Sequence, residues 1–169
     1  GSVIKLLTRQ LYHPTLEIRV WKSFAILVWM SDKIVVNILR AFVNEKGKYG
    51  NPTGIVVDLE QKLTTEERQK IATKLHFTDT VFINSLEPVN VSFFNPEQET
   101  KFAGDSLIST THLITHVLGK KAEVIICKGG QINTWSEGEI TWIESSLDGT
   151  PGWQHQQLEN ATTVDTITP

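Results

Sequence analysis

One cysteine, Cys127, is all this chain has, so no internal disulfide can form. Its flanks, Val124-Ile125-Ile126 and Lys128-Gly129-Gly130, place it at the end of a buried strand, where it reads as an inert core thiol in a reducing cytoplasm. Long apolar runs are missing as well. The longest, Phe24 to Met30, falls far short of the ~20 residues a membrane-spanning helix needs. Lys5, Arg9, Arg19 and Lys22 precede it in the manner of a signal peptide, but Ser31-Asp32-Lys33 follows where a small-residue cleavage site should lie, which argues against that reading. A basic excess is lacking too: the net charge of −3 and pI near 6.0 give no footprint for nucleic acid. Asn90-Val91-Ser92 and Asn160-Ala161-Thr162 match the glycosylation pattern by chance, since nothing else points to secretion.

What is there is an ordinary folded composition, 40% hydrophobic and 21% charged, over 169 residues: one domain, or one domain with extensions. Gly1-Ser2 reads as the scar of a cleaved tag, and Met30-Ser31-Asp32-Lys33-Ile34 as a natural start. Residues 1–29 are therefore either an upstream extension or a true part of the domain, and the alternation of Leu16, Ile18 and Val20 before the apolar run predicts an extension of one or two added strands. The domain proper spans 30–147, and 148–169 form a polar tail.

Within the domain, 34–43 read as a strand, 44–52 as a loop with two glycines, and 54–58 as a strand again. Thr64 and Glu67 form a capping box, and Ile71, Ala72 and Leu75 make one apolar stripe, so 64–75 are an outer amphipathic helix. Strands follow at 80–84 and 89–94. Residues 106–118 carry no charge at all and predict a helix buried on most sides. Strands at 122–127, 131–135 and 139–143 complete an α+β domain, a mixed, mainly antiparallel sheet curled around a central apolar helix, with one helix outside.

The stretch from Val91 to Ser106 runs a strand into a glycine-marked turn and then into that uncharged helix, an arrangement that often builds a ligand site. Together with Arg40-Ala41-Phe42, Gly50-Asn51-Pro52, Phe77-Thr78-Asp79-Thr80-Val81-Phe82, Phe94-Asn95-Pro96, Glu99 and Phe102-Ala103-Gly104, it resembles the phenazine-biosynthesis PhzF-like isomerases from about Ile34 to Ile143. The resemblance implies one half of a diaminopimelate-epimerase-like fold, which such proteins contain twice. It also implies proton movement next to a carboxylate without metal or organic cofactor, in a cleft between two halves. Gly50, Asn51, Pro52, Gly104 and Ser106 would then line a pocket for a small carboxylic acid. Free backbone N–H groups and a helix dipole favour an anion there on physical grounds alone.

Two positions depart from the family pattern. Where it has a glutamate as general acid/base, this sequence has Asp79, one methylene shorter; where it has Gly-His, this sequence has Gly104-Asp105, an anion for a neutral donor. Asp79 is either a solvated strand start or an acid/base. Asp105 is either a plain helix N-cap or a second carboxyl facing Asp79, able to share a proton with it. His112 and His116, one helical turn apart, lack a third metal ligand and read as packed side chains. Five tryptophans point to core packing, with one or two at an interface. The departures favour a degenerate single-domain protein that binds a small carboxylate without efficient catalysis. The alternative is an isomerase whose cleft is completed by homodimerisation, with Asp79 as acid/base. In a third, structural reading, the extension fills the place of a strand that the second half would return.

Overall fold

The layering follows from three strands that are apolar on both faces. In β4 (Tyr49–Val57), β5 (Asp79–Leu86) and β6 (Val89–Phe94), the residues Ile55, Val81, Ile83, Val89, Val91 and Phe93 join one buried cluster, and Val56, Phe82 and Phe94 join another. Strand side chains alternate with period two, so the clusters lie on opposite faces of the sheet. A helix covers each face: α1 (Thr65–Leu75) brings Ile71 and Ala72 to one cluster, and α2 (Gly104–His112) brings Leu107 to the other.

The computed structural model describes residues 4–8, 19–29, 32–43, 48–137 and 140–144. Among them ten strands form one curled mixed sheet with two helices. The remaining strands are β1 (Ile4–Thr8), β2 (Arg19–Trp29), β3 (Asp32–Val43), β7 (Glu99–Thr100), β8 (Val124–Cys127), β9 (Gly130–Glu137) and β10 (Ile140–Ile143). Their order is β1-β2-β3-β4-β5-β6-β8-β9-β10, with β7 beside β6. Two neighbours are parallel, β4 with β5 and β6 with β8, and the others antiparallel. Parallel pairing needs a long crossover, and α1 and α2 are the two crossovers.

The capping box is formed as expected: Glu67 N–H donates to Thr64 Oγ1 at 3.2 Å, and Thr64 N–H to Glu67 Oε2 at 2.9 Å. A buried ion pair fixes the helix to the sheet. Arg68 donates to Asp58 Oδ2 at 2.9 Å and to Asn84 Oδ1 at 2.7 Å, while its guanidinium carbon lies 5.2 Å from the centroid of the Phe82 ring. Asp58 also accepts the backbone N–H groups of Lys62 and Leu63 at 3.0 and 3.2 Å.

In α2, six consecutive residues from Ser106 to Thr111 are buried, so every side of that stretch is covered. It packs against β3, β4, β5 and β10. Thr110 and Thr111 return their hydroxyls to the carbonyls of Ser106 and Leu107 at 2.7 and 2.9 Å, which satisfies these two buried hydroxyls within the helix itself. The helix begins two residues earlier than the uncharged run suggests, and from Leu113 to Val117 it widens into a π turn. Cys127 is buried at the end of β8.

Other differences lie at strand ends. The expected 44–52 loop is in part strand, because β4 starts at Tyr49 and pairs antiparallel with β3 through Val43↔Tyr49 and Ala41↔Asn51. Phe42 and Gly50 stand opposite each other between those pairs in left-handed conformation, φ 60° and 67°, and the register runs through them without a shift. A Cβ on Gly50 would stand 2.3 Å from the Ala41 carbonyl oxygen, which only glycine avoids. β5 is longer than 80–84, and the two-residue β7 has no periodicity that a sequence could show.

The N-terminal segment contributes β1 and β2, and β2 pairs with β3 from Arg19↔Val43 to Trp29↔Asp32. Removing residues 1–29 would leave β3 as a bare edge with unpaired N–H and C=O groups. The truncated protein is expected to be insoluble or to unfold at clearly lower temperature; a soluble form with the parent's melting temperature would show that β2 is dispensable. The 148–169 tail lies outside the described residues. Among the described residues, no helix is long and apolar enough to cross a membrane.

Candidate active site at the head of the second helix

β4 and β5 run parallel with Thr53 paired to Asp79. By strand alternation Thr53 shares its face with Ile55, and Asp79 with Val81, the face that α2 covers. Both are buried: Thr53 is 0% exposed and Asp79 8%. Asp79 is thus not the solvated strand start that its sequence position allows.

The chain enters α2 extended at Ala103, φ −145° and ψ 107°, and Ala103 is the N-cap, with no side-chain capping bond. Asp105 is therefore not the N-cap; it sits inside the first turn, where the helix dipole still favours a negative charge. Ser106 follows, 1% exposed, with its Oγ 3.0 Å from Thr53 Oγ1. The same hydroxyl lies near enough to the Asp79 carboxyl to favour its ionised form.

Three influences act on that carboxyl. Burial disfavours its charge most, the neighbouring Asp105 carboxylate disfavours it further, and the Ser106 hydrogen bond works the other way. The balance pushes the Asp79 pKa up from 3.8 to about 6. Two carboxyls on different elements are thus brought within mutual influence, and one of them exchanges its proton just below neutral pH.

The other sequence candidates divide. Asn51 lies one pleat from Thr53 on the same face and is exposed; Pro52 points to the opposite face. Gly50 lies beside them in left-handed conformation, and its carbonyl accepts a long bond from Arg40 at 3.5 Å. Gly104 is the first helical residue, and a Cβ there would meet only the Phe102 ring at an ordinary 3.6 Å, so space does not demand glycine. Thr53 is the site residue that sequence reasoning missed. A lone hydroxyl on the inner face of the apolar Gly54–Val57 strand was its signal.

His112 and His116 stack in a tilted pair with ring centroids 4.4 Å apart, and among the described residues no group of three or more His, Cys, Asp or Glu could hold a metal ion. Trp135 and Trp142, cross-strand partners on β9 and β10, stack at 6.0 Å and are both 44% exposed, so these two are surface rather than core. The side chains of Trp21, Trp29 and Trp153 lie outside the described residues.

The family model described as phenazine biosynthesis-like protein, PhzC-PhzF, matches residues 39–162. A phenazine biosynthesis protein of the PhzF family from Bacillus anthracis is similar over 64% of this chain and 38% of its own, at 32% identity and a TM-score of 0.54. A PhzF-family protein from Enterococcus faecalis aligns over 59% of this chain and 39% of its own, at 24% identity and a TM-score of 0.53. The chain thus spans about two fifths of the length of these two relatives.

Proposed function

Because the chain belongs to the phenazine biosynthesis-like protein family, we propose that it is a cofactor-independent isomerase in which Asp79 moves a proton at a carbon next to a carboxylate. The observation that supports this most is the placement of Asp79: buried at the start of β5, beside Asp105 and Ser106 at the head of α2. A group that must both take and return a proton works best when its pKa lies near the working pH, and Asp79 at about 6 meets that condition where an ordinary aspartate does not. Burial so compensates, in basicity, for a side chain one methylene shorter than the family's glutamate.

In the proposed reaction, ionised Asp79 accepts the proton from the substrate carbon. The same carboxyl, now neutral, returns it to a second carbon of the rearranged anion, and charge balances at each step. The N–H groups of the first turn of α2, Gly104, Asp105 and Ser106, have no partner within the helix, and in this reading they receive the substrate carboxylate. Asp105 sets a negative charge near Asp79, which disfavours the ionised form of Asp79. α2 serves as the axis about which the half barrel curls, and a second copy of the chain supplies the opposite wall. A cytoplasmic setting is part of this reading, as the lone cysteine asks for no oxidising compartment.

A carboxylate-binding protein without efficient catalysis is the second reading, favoured by the anion at Asp105. The test is solvent-deuterium incorporation into small carboxylic acids, followed by mass spectrometry alongside the solution mass from light scattering. Incorporation by a dimer, increasing as pH passes through about 6, supports the isomerase. Acids that bind and never exchange would leave the binding reading in its place.

A further inference from the structure

We propose that Ser106 is a positioning residue for Asp79, and that Thr53 anchors it, the two hydroxyls forming a reversible relay behind the carboxyl. The proposal deepens the isomerase reading above and rests on it where it concerns catalysis. Thr53, Ser106 and Asp79 come from three elements, β4, α2 and β5, and all three are buried: their exposures are 0%, 1% and 8%. The Thr53 and Ser106 oxygens stand 3.0 Å apart, and strand pairing sets Thr53 directly beside Asp79.

Hydrogen counting decides the direction of the bonds. A hydroxyl has one hydrogen to give and two lone pairs to receive, whereas an ionised carboxylate can only receive. While Asp79 is charged, Ser106 must donate to it, and Thr53 then donates to Ser106. When Asp79 gains a proton its O–H can donate to Ser106, which turns and donates to Thr53. Nothing is transferred along this line; both hydroxyls rotate about their C–O bonds, and no O–H bond breaks. Either charge state of Asp79 thus finds a matched partner, so its carboxyl keeps one orientation through a cycle of taking and returning a proton. A carboxyl that turned away between the two steps would return the proton to the wrong place.

The surroundings leave this relay as the counterweight to charge repulsion. Asp105, from α2, is the titratable group whose charge reaches Asp79, and it opposes ionisation. β4 presents Thr53 on that face, and β6 presents Phe93, neither of them charged. Ser106 is the group that favours the ionised form.

Ser106→Ala and Thr53→Val, the latter close in volume, test this by two separate readouts. In the first, the Asp79 carboxyl carbon is titrated by NMR, which needs no substrate. Ser106→Ala is expected to raise its midpoint by about one pH unit, since a hydrogen bond to a charged group is among the stronger ones, and Thr53→Val to raise it by less. In the second, the pH at which deuterium incorporation rises should move upward by the same amount. An Asp79 midpoint unmoved in Ser106→Ala, or in a folded Thr53→Val should the other variant fail to fold, overturns the relay. A uniform fall in incorporation with an unmoved pH profile overturns the positioning role. Absence of incorporation in the parent defeats the isomerase reading, and the titration still decides the relay.

Discussion

Asp79→Asn is expected to abolish solvent-deuterium incorporation and yet to melt higher than the parent protein at pH 7, though not at pH 4. The catalytic loss follows from removing the only proposed proton carrier; a positioned acid or base contributes about 10²–10⁴-fold. The stability gain follows from linkage. Asp79 binds its proton more tightly in the folded chain, about 6 against 3.8, so between those values the folded state holds more protons than the unfolded one. Stability then falls as pH rises through that window. Below about pH 4 both states are protonated, and the charge costs nothing. Above about pH 6 the folded protein carries a buried anion beside Asp105, and asparagine removes it. The displacement corresponds to at most about 3 kcal/mol. Half-buried Gly104 and Asp105 open the site to solvent, which screens part of that, so a gain of roughly 1–2 kcal/mol, or about 2–8 °C, is expected. Melting curves of both proteins from pH 4 to 7.5 decide it: a difference that does not grow with pH, or a variant that melts lower at pH 7, would contradict the buried-anion account.

Arg68→Ala should lower stability by about 3–5 kcal/mol, the usual cost of removing one partner of a buried ion pair. Arg68 and Asp58 have side chains 11% and 7% exposed, so water cannot replace the lost guanidinium well. Asp58 keeps the Lys62 and Leu63 N–H groups, but Asn84 Oδ1 loses its 2.7 Å donor and the Phe82 ring loses the cation above it. These losses fall where α1 meets β5. The double variant Asp58→Asn/Arg68→Met removes both charges and fills the volume, so urea unfolding should find it more stable than Arg68→Ala alone. If the single variant lost less than the double one, the pair would not be what ties α1 to the sheet.

Much of the fold is legible in the residues. Thr64 with Glu67 starts α1, and Ile71, Ala72 and Leu75 mark its inner stripe. The uncharged run after Asp105 marks a helix with six consecutive buried residues. Local chemistry suffices for these, because capping bonds and helical stripes join residues three or four apart. Strand ends are less legible: Gly50 and Pro52 look like breakers, yet left-handed backbone at Gly50 and Phe42 lets β4 keep its register with β3 through both.

The sequence by itself determined the α+β class, the motifs that carry family membership, and Asp79 and Asp105 as the residues to watch. Tertiary structure alone decided that the charge of Asp105 is felt at Asp79, and that Thr53 and Ser106 stand together at the head of α2. The reason is range. Thr53 and Ser106 are 53 residues apart, and their contact depends on β4 and β5 pairing in parallel with Thr53 level with Asp79. An apolar strand buried on both faces reads the same whichever neighbour it takes and in whichever direction. The readiness of Asp79 to hold a proton near neutral pH has the same origin, because desolvation and a like charge come from the fold around a side chain and not from the side chain.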